Sequence, residues 1–304
     1  MTSEAGSNTI RPGETGAAGA ASERLHLEVG RLAAAGSLQG PAHRVNEDTW
    51  RIAEPADRAT AGRLYLVADG VGGRSRGEVA SALAAEITVE QFFNTEGDAL
   101  TRLLSAVREA NRQVSAAAAA QSDATRTMAT TIVAAAVADG AIALAHAGDS
   151  RCYLVIDQTV TQLTHDHSWV QEQVDRGAMT PAEARQSTRR NIITRALGLG
   201  DGIEADTKTV VPAAAPGRLV LCSDGVHGVI EDDELLALIS GVEARVGVER
   251  VLAKVEERAG RDDATIVIAE LSEIAGAAAS DVPAHGGLFG WLRKRIHRPR
   301  SAAG

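Results

Sequence analysis

Aromatic residues are scarce in this chain, with 3 Trp, 2 Tyr and 3 Phe among 304 residues. Its core must therefore be filled mainly by Ala, Val, Leu and Ile. Cysteine is scarcer still: only Cys152 and Cys222 occur, far apart and each inside an apolar run. That excludes a disulfide framework or a thiolate metal site and leaves two buried core thiols as the expectation. Positive charge is in deficit, and a formal net charge of −9 offers no basic face to a nucleic-acid backbone. No apolar run is long enough to span a membrane. The most apolar stretch, Met128 to Gly148, is broken by Asp139-Gly140, a hairpin-turn dipeptide. Residues 1–24 lack the basic-then-apolar layout of a secretion signal and read as a disordered lead into a cytoplasmic protein. A Cys in a nucleophile loop and a Walker-type phosphate loop are also missing, so covalent catalysis has little support.

What the chain does have is carboxylates at the ends of short apolar runs. Tyr65-Leu66-Val67-Ala68 runs into Asp69, Ile142-Ala143-Leu144-Ala145 towards Asp149, and Leu219-Val220-Leu221-Cys222 towards Asp224. Each reads as a buried strand ending in an acid. Glu47-Asp48 opens a further strand at Trp50 and Ile52, and Asp262-Asp263 precedes the last one. Taken singly, any such Asp is an ordinary turn former or helix cap. Gathered at one rim, the ionised groups would repel and be desolvated unless cations compensated them, and hard dications such as Mg²⁺ or Mn²⁺ suit all-oxygen ligands. No Cys or His partner stands at zinc spacing. Two dications held by carboxylates can activate a bridging water and neutralise a phosphoryl group, a hydrolase design needing no side-chain nucleophile.

The organisation is that of one catalytic domain over 25–271. Leu25 to Ser37 alternates loosely as a first strand. Glu78 to Phe93 and Asp98 to Ala120 carry apolar residues at helical spacing and read as a helical pair on a sheet. Asp166 to Arg176 reads as a short helix. Thr180-Pro181-Ala182-Glu183 opens another, with a capping Thr, Pro at the first helical position and Glu three residues after the cap. Strands are expected at Cys152 to Ile156, Thr207 to Val211, Arg218 to Ser223 and Ala264 to Leu271, and helices at Asp232 to Ile239 and Glu243 to Ala259. Hairpins mixed with paired helices favour antiparallel sheets.

Seven ordered segments carry a resemblance. Arg44-Val45-Asn46-Glu47-Asp48, Val67-Ala68-Asp69-Gly70-Val71-Gly72-Gly73, Ala147-Gly148-Asp149-Ser150-Arg151, Leu163-Thr164-His165-Asp166-His167-Ser168, Ile193-Thr194-Arg195-Ala196-Leu197-Gly198, Ser223-Asp224-Gly225 and Arg261-Asp262-Asp263-Ala264-Thr265 resemble, in order, bacterial metal-dependent serine/threonine protein phosphatases of the 2C type. The resemblance implies an α+β fold: a four-layer α-β-β-α sandwich of two antiparallel sheets flanked by helices, with a small flap at about 165–198. It implies two Mn²⁺ or Mg²⁺ ions held by Asp48, Asp69, Asp224 and Asp262, with the carbonyl of Gly70 and with Glu47 holding water beside them. Asp149 matches the position of a third, weaker metal. Substrates would be phosphoserine and phosphothreonine proteins, with a cognate Ser/Thr kinase as a partner.

Four departures qualify it. Many members place a phosphate-clamping Arg where His43 stands, with Arg44 one residue later, so phosphate binding falls to one of these two. Gly228 replaces an Asp that would serve the third metal. Val71 replaces a His that follows the Asp-Gly in some relatives, and Ala129-Thr130 replaces Gly-Thr, a packing change. The alternatives are a pseudophosphatase that binds phosphoproteins or scaffolds a kinase, and a two-metal phosphodiesterase acting on small molecules. His165, His167 and His227 read as structural or solvent-facing, and Arg185, Arg189, Arg190 and Arg195 as a solvated face or a phosphopeptide attractor. The tail, 272–304, interleaves Leu288, Phe289, Trp291, Leu292 and Ile296 with Arg293, Lys294, Arg295, Arg298 and Arg300. Through 286–300 it could contact an anionic membrane surface or a partner, or stay a disordered tail.

Overall fold

The computed structural model describes residues 24–54, 62–71, 76–120, 128–200, 202–212 and 216–271. Apart from Arg24, the expected lead over 1–24 lies outside these residues, as do the tail over 272–304, Gly72 and Gly73. Among the described residues no helix is long and apolar enough to cross a membrane.

Two antiparallel sheets form the centre. One is built from β1 (Leu25–Val29), β2 (Ala33–Leu38), β8 (Arg151–Ile156), β9 (Thr159–Gln162), β11 (Gly217–Cys222) and β12 (Ala264–Glu270), in the spatial order β1-β2-β12-β11-β8-β9. The other contains β3 (Asp48–Ala53), β4 (Arg63–Val71), β6 (Ile132–Ala138), β7 (Ala141–Ala147) and β10 (Asp206–Val210), in the order β10-β7-β6-β4-β3, with the short β5 (Ala129–Thr130) against the end of β4. The β6–β7 turn is the expected Asp139-Gly140, both at positive φ (50° and 76°), as a two-residue hairpin requires.

Strand alternation divides the core into layers. Tyr65, Val67, Val133, Ala135, Leu219, Leu221 and Val267 fill the space between the sheets. Leu64, Leu66, Ile132 and Ala134, one position out of phase, face α1 (Gly77–Asn94) and α2 (Ala99–Ala119), where they meet Phe92, Leu103 and Val107. On the far side Val220, Cys222, Ile266 and Ile268 pack on α6 (Asp232–Ile239) and α7 (Ala244–Glu257) through Leu235, Ile239, Val248 and Val251. The architecture is the expected four-layer α-β-β-α sandwich. With helices outside both sheets, the central strands are buried on two faces, which is why their sequences run apolar instead of alternating.

Between β9 and β10 the chain forms α3 (Trp169–Asp175) and α4 (Pro181–Gln186). The capping box at Thr180 and Glu183 is present. Trp169 N–H bonds the Ile192 carbonyl and Thr194 N–H bonds the His167 carbonyl, so the return segment is stitched to the start of α3.

Two expectations need correction. Leu25 to Ser37 is a hairpin of β1 and β2, because Gly30 turns the chain and the Glu54 carboxylate takes the Arg31 and Leu32 N–H groups. The helix foreseen from Asp166 starts at Trp169: Ser168 caps it, and Asp166 is drawn away by Arg151. Two elements have no counterpart among the sequence-based expectations: the short helix α5 (Asp224–His227) and β9.

Leu221, 0% exposed between the sheets, and Val29, 61% exposed on β1, make a matched test of these layers. Leu221→Ala should lower unfolding stability by about 2–5 kcal/mol and Val29→Ala by under about 0.5 kcal/mol. Urea denaturation measures both, and equal losses would contradict the layering.

Candidate metal centre

Strand register makes the first pair of acids. Asp48, the first residue of β3, lies directly opposite Asp69 on β4. Asp224 follows β11 after Ser223, and Asp262 sits just before β12, the strand paired with β11. The two sheets are tied at this rim. Ser223 Oγ donates to Asp48 Oδ2 at 2.7 Å, and the Thr265 N–H donates to Ser223 Oγ at 2.9 Å. Asp69 is set by its own N–H on Thr131 Oγ1 at 2.9 Å.

Close backbone approaches bring these segments together. A Cβ on Gly70 would lie 2.4 Å from the carbonyl carbon of Gly77 at the start of α1, and one on Gly225 would lie 2.0 Å from the Asp263 carbonyl oxygen. Any larger residue at either position would push two carboxylate-bearing segments apart.

Electrostatically the rim is frustrated. Burial pushes Asp69 well above the ordinary carboxylate range, and Asp48, Asp224, Asp149 and Asp262 push it further. Burial and Asp262 raise Asp224 to about 7, and burial raises Asp48 and Asp149 strongly. Asp48 is 7% exposed and Asp149 4%, yet Oδ1 of each has no hydrogen-bond partner. Buried carboxylate oxygens without partners, in a cluster of like charge, fit divalent cations with oxygen ligands. Asp48, Asp69, Asp224 and Asp262 therefore meet at one rim as expected, with Asp149 beside them and Gly70 next to Asp69.

Asp263, given no role from sequence, organises the edge of this rim. It is 2% exposed and accepts from Gly40 N–H at 2.8 Å, Glu47 N–H at 2.7 Å and His43 Nδ1 at 2.7 Å. His43 Nε2 lies 3.6 Å from Asp262 Oδ1. Burial alone would lower the His43 pKa, but Asp263, Asp262 and Glu47 outweigh it and hold it above its ordinary value. Glu47, its carboxyl against Gly77, is raised to about 7, first by burial.

A cleft of about 620 Å³ opens from the rim towards α3 and α4, lined among others by His43, Asp149, Asp224, Asp262 and Arg190. Arg44 is exposed and does not line it. Of the other arginines singled out, Arg185 lines the cleft but pairs with Glu231 at 2.7 Å, Arg189 stacks over Trp169, and Arg195 binds Asp206 at 2.9 Å. His165 is exposed and bonds Asp175, while His227 faces the cleft.

The tightest metal-like grouping lies elsewhere. His146, His167 and Asp206 bring ligand atoms within 4.8 Å of one another. The Gly148 N–H donates to His167 Nδ1, so the ring proton sits on Nε2, which points at Asp206 Oδ2 at 3.3 Å. Arg195 already supplies a cation to Asp206, and the two imidazoles stack at 4.4 Å instead of converging. This grouping is a structural clamp on Gly148, not a metal site.

The protein phosphatase 2C family model matches residues 40–271. The chain is 35% identical over 229 residues to the serine/threonine protein phosphatase PstP of Mycobacterium tuberculosis, covering 72% of this chain and only 44% of that protein. It is 32% identical over 231 residues to the serine/threonine phosphatase stp of Listeria welshimeri, covering 74% of this chain and 90% of that one. The crystal structure of the PstP catalytic domain in complex with 2 manganese ions superposes with a TM-score of 0.68 at 32% identity, covering 81% of this chain and 98% of that one. This chain belongs to the protein phosphatase 2C family.

Proposed function

We propose that the protein hydrolyses phosphoserine and phosphothreonine in proteins, using Mn²⁺ or Mg²⁺ held by Asp48, Asp69, Asp224 and Asp262 with the Gly70 carbonyl. The observation that carries this reading is the meeting of these four carboxylates at one rim, with a buried oxygen of Asp48 left without a partner. When bound, such ions lower the pKa of water and neutralise phosphoryl charge.

The chain's own residues do the rest. Asp263 orients His43 so that the imidazole borders the cleft next to Asp262, where its cationic form attracts a phosphoryl group. Arg190 borders the same cleft and adds positive charge facing Asp224 and Asp262. Glu47, raised to about 7 when no cation is present, offers its carboxyl to water at the rim. The segment over about 165–198 forms the wall that a phosphopeptide would cross, and is the natural place for substrate selection. A kinase acting on the same proteins is the partner this activity implies, and the cytoplasm is the compartment consistent with two free thiols. The full set of carboxylates leaves a binding-only pseudophosphatase without support.

Purified protein should hydrolyse a phosphothreonine peptide with Mn²⁺, lose the activity with chelator, and leave a cyclic dinucleotide intact. Asp69→Asn and Asp224→Asn should each reduce turnover at least about 100-fold. Activity that survives either change or chelation would refute the reading.

Asp263→Asn removes charge from the acceptor of three donors at little change in volume. We expect kcat/KM to fall about 10–100-fold, and unchanged peptide kinetics would show that His43 needs no such support.

Without cations, the raised carboxylate pKa values mean that the folded state binds more protons than the unfolded chain above about pH 4. Metal-free stability should therefore fall as pH rises from there towards about 7, the Asp224 value. Saturating Mn²⁺ should flatten that slope in thermal melts. A metal-free protein that gains stability over this window would contradict the frustrated rim.

A further inference from the structure

At about 620 Å³ the cleft matches pockets that enclose a whole small ligand, roughly 300–1,000 Å³, and is larger than one phosphoryl group requires. Its two ends differ in chemistry. The rim end carries the carboxylates, with His43 and Arg190 facing Asp262. The other end is apolar: Val170 and Val174 line it from α3, Pro181 and Ala184 from α4, and Val229 from the body just past α5. Val170 and Val174, four residues apart, share one face of their helix. Val170 and Ala184 are buried, but Val174 and Val229 are half-buried and Pro181 is exposed, so their neighbours leave apolar surface open to the cleft.

The arginines bordering this end already have carboxylates of their own. Arg185 on α4 pairs with Glu231 of the body at 2.7 Å, Arg258 with Glu234 at 2.6 Å and with the Val229 carbonyl at 2.7 Å, and Arg151 with Asp166 at 2.7 Å. Asp232, the first residue of α6, adds a negative charge that the helix N-terminus favours. An acidic guest would have to break one of these pairs and face Asp232. An uncharged aliphatic side chain does neither, and it takes apolar surface out of water. The cleft is continuous from the rim, so a polypeptide whose phosphate sits at the carboxylates passes this surface.

Building on the phosphatase reading, we propose that this end of the cleft binds an aliphatic side chain of the substrate protein, close in sequence to the phosphorylated residue. The preferred substrates are then phosphothreonine and phosphoserine segments with a Leu- or Ile-sized neighbour. Because the apolar surface lies to one side of the rim, the preference belongs to one side of the phosphorylated residue. Val174 and Pro181 are specificity determinants in this scheme and touch no reacting atom.

The test uses full-length protein with Mn²⁺ and phosphothreonine peptides in which a single Leu is moved through flanks of Ala. The best Leu peptide should exceed the all-Ala peptide in kcat/KM by at least about tenfold, chiefly through KM, and Asp at that position should fall below Ala. Val174→Asp should erase the gain and leave the all-Ala peptide unchanged. Pro181→Glu, at the exposed first position of α4 where an acid suits the helix, should reduce the same gain and keeps the test intact should Val174→Asp fold poorly. Equal kcat/KM for all peptides, a gain spread over both flanks, or a gain that survives both variants would overturn the pocket. Fluorescence anisotropy with the same peptides carrying a non-hydrolysable phosphonate separates the two readings. Leu-dependent affinity without turnover would overturn the phosphatase reading and leave the pocket standing, and turnover without Leu dependence would do the reverse.

Discussion

Repulsion among carboxylates gathered at one rim is the constraint that the rest of this structure answers. Water would keep such groups apart, and burial raises the penalty on each charge. They are held together because each sits at the end of a strand whose packing lies deep in the sandwich. Asp48 and Asp69 are fixed by β3–β4 pairing, while Asp224 and Asp262 flank the paired β11 and β12. The inter-sheet core of Tyr65, Val67, Leu219, Leu221 and Val267 sets the distance between these two pairs. Thermodynamically, the hydrophobic layers hold a polar edge that is unfavourable until cations arrive.

Small hydroxyl groups and glycines make that edge specific. Ser223 joins the sheets by giving its proton to Asp48 and taking one from the Thr265 N–H. Thr131 holds the Asp69 backbone and meets Ser150 Oγ at 2.8 Å, next to Asp149. These bonds use one oxygen of Asp48 and leave the other bare, which directs the lone pairs into the rim. Asp263 works differently: fully supplied with donors, it is a scaffold for the Gly40–Glu47 segment and aims His43. Two adjacent acids, Asp262 and Asp263, thus have opposite jobs, one open towards the cleft and one consumed by the fold.

Much of the fold was legible in the sequence because its signals are local. Apolar runs of strand length, the Asp139-Gly140 turn and the Thr180 capping box each act over a few residues and appeared where expected. The helical pair did too, with Asp98 capping α2 through the Thr101 N–H. Failures came where a distant partner decided the outcome. Glu54 creates the turn that splits β1 from β2, and Arg151 removes Asp166 from the helix foreseen there. Neither partner is within reach of a local pattern.

The candidate site divides along the same line. The sequence by itself determined which acids stand at strand ends, since burial of the preceding apolar residues fixes where each strand stops. It also determined that His43, Val71 and Gly228 depart from the family pattern. Only the tertiary structure decided which acid is open and which is consumed, and that His43 leans on Asp263 while Arg44 faces solvent. Those outcomes depend on donors and acceptors brought from strands more than a hundred residues apart, as with Ser223 and Asp48 at a separation of 175. Hydrogen-bond assignment is a property of the assembled rim, and no residue carries it alone.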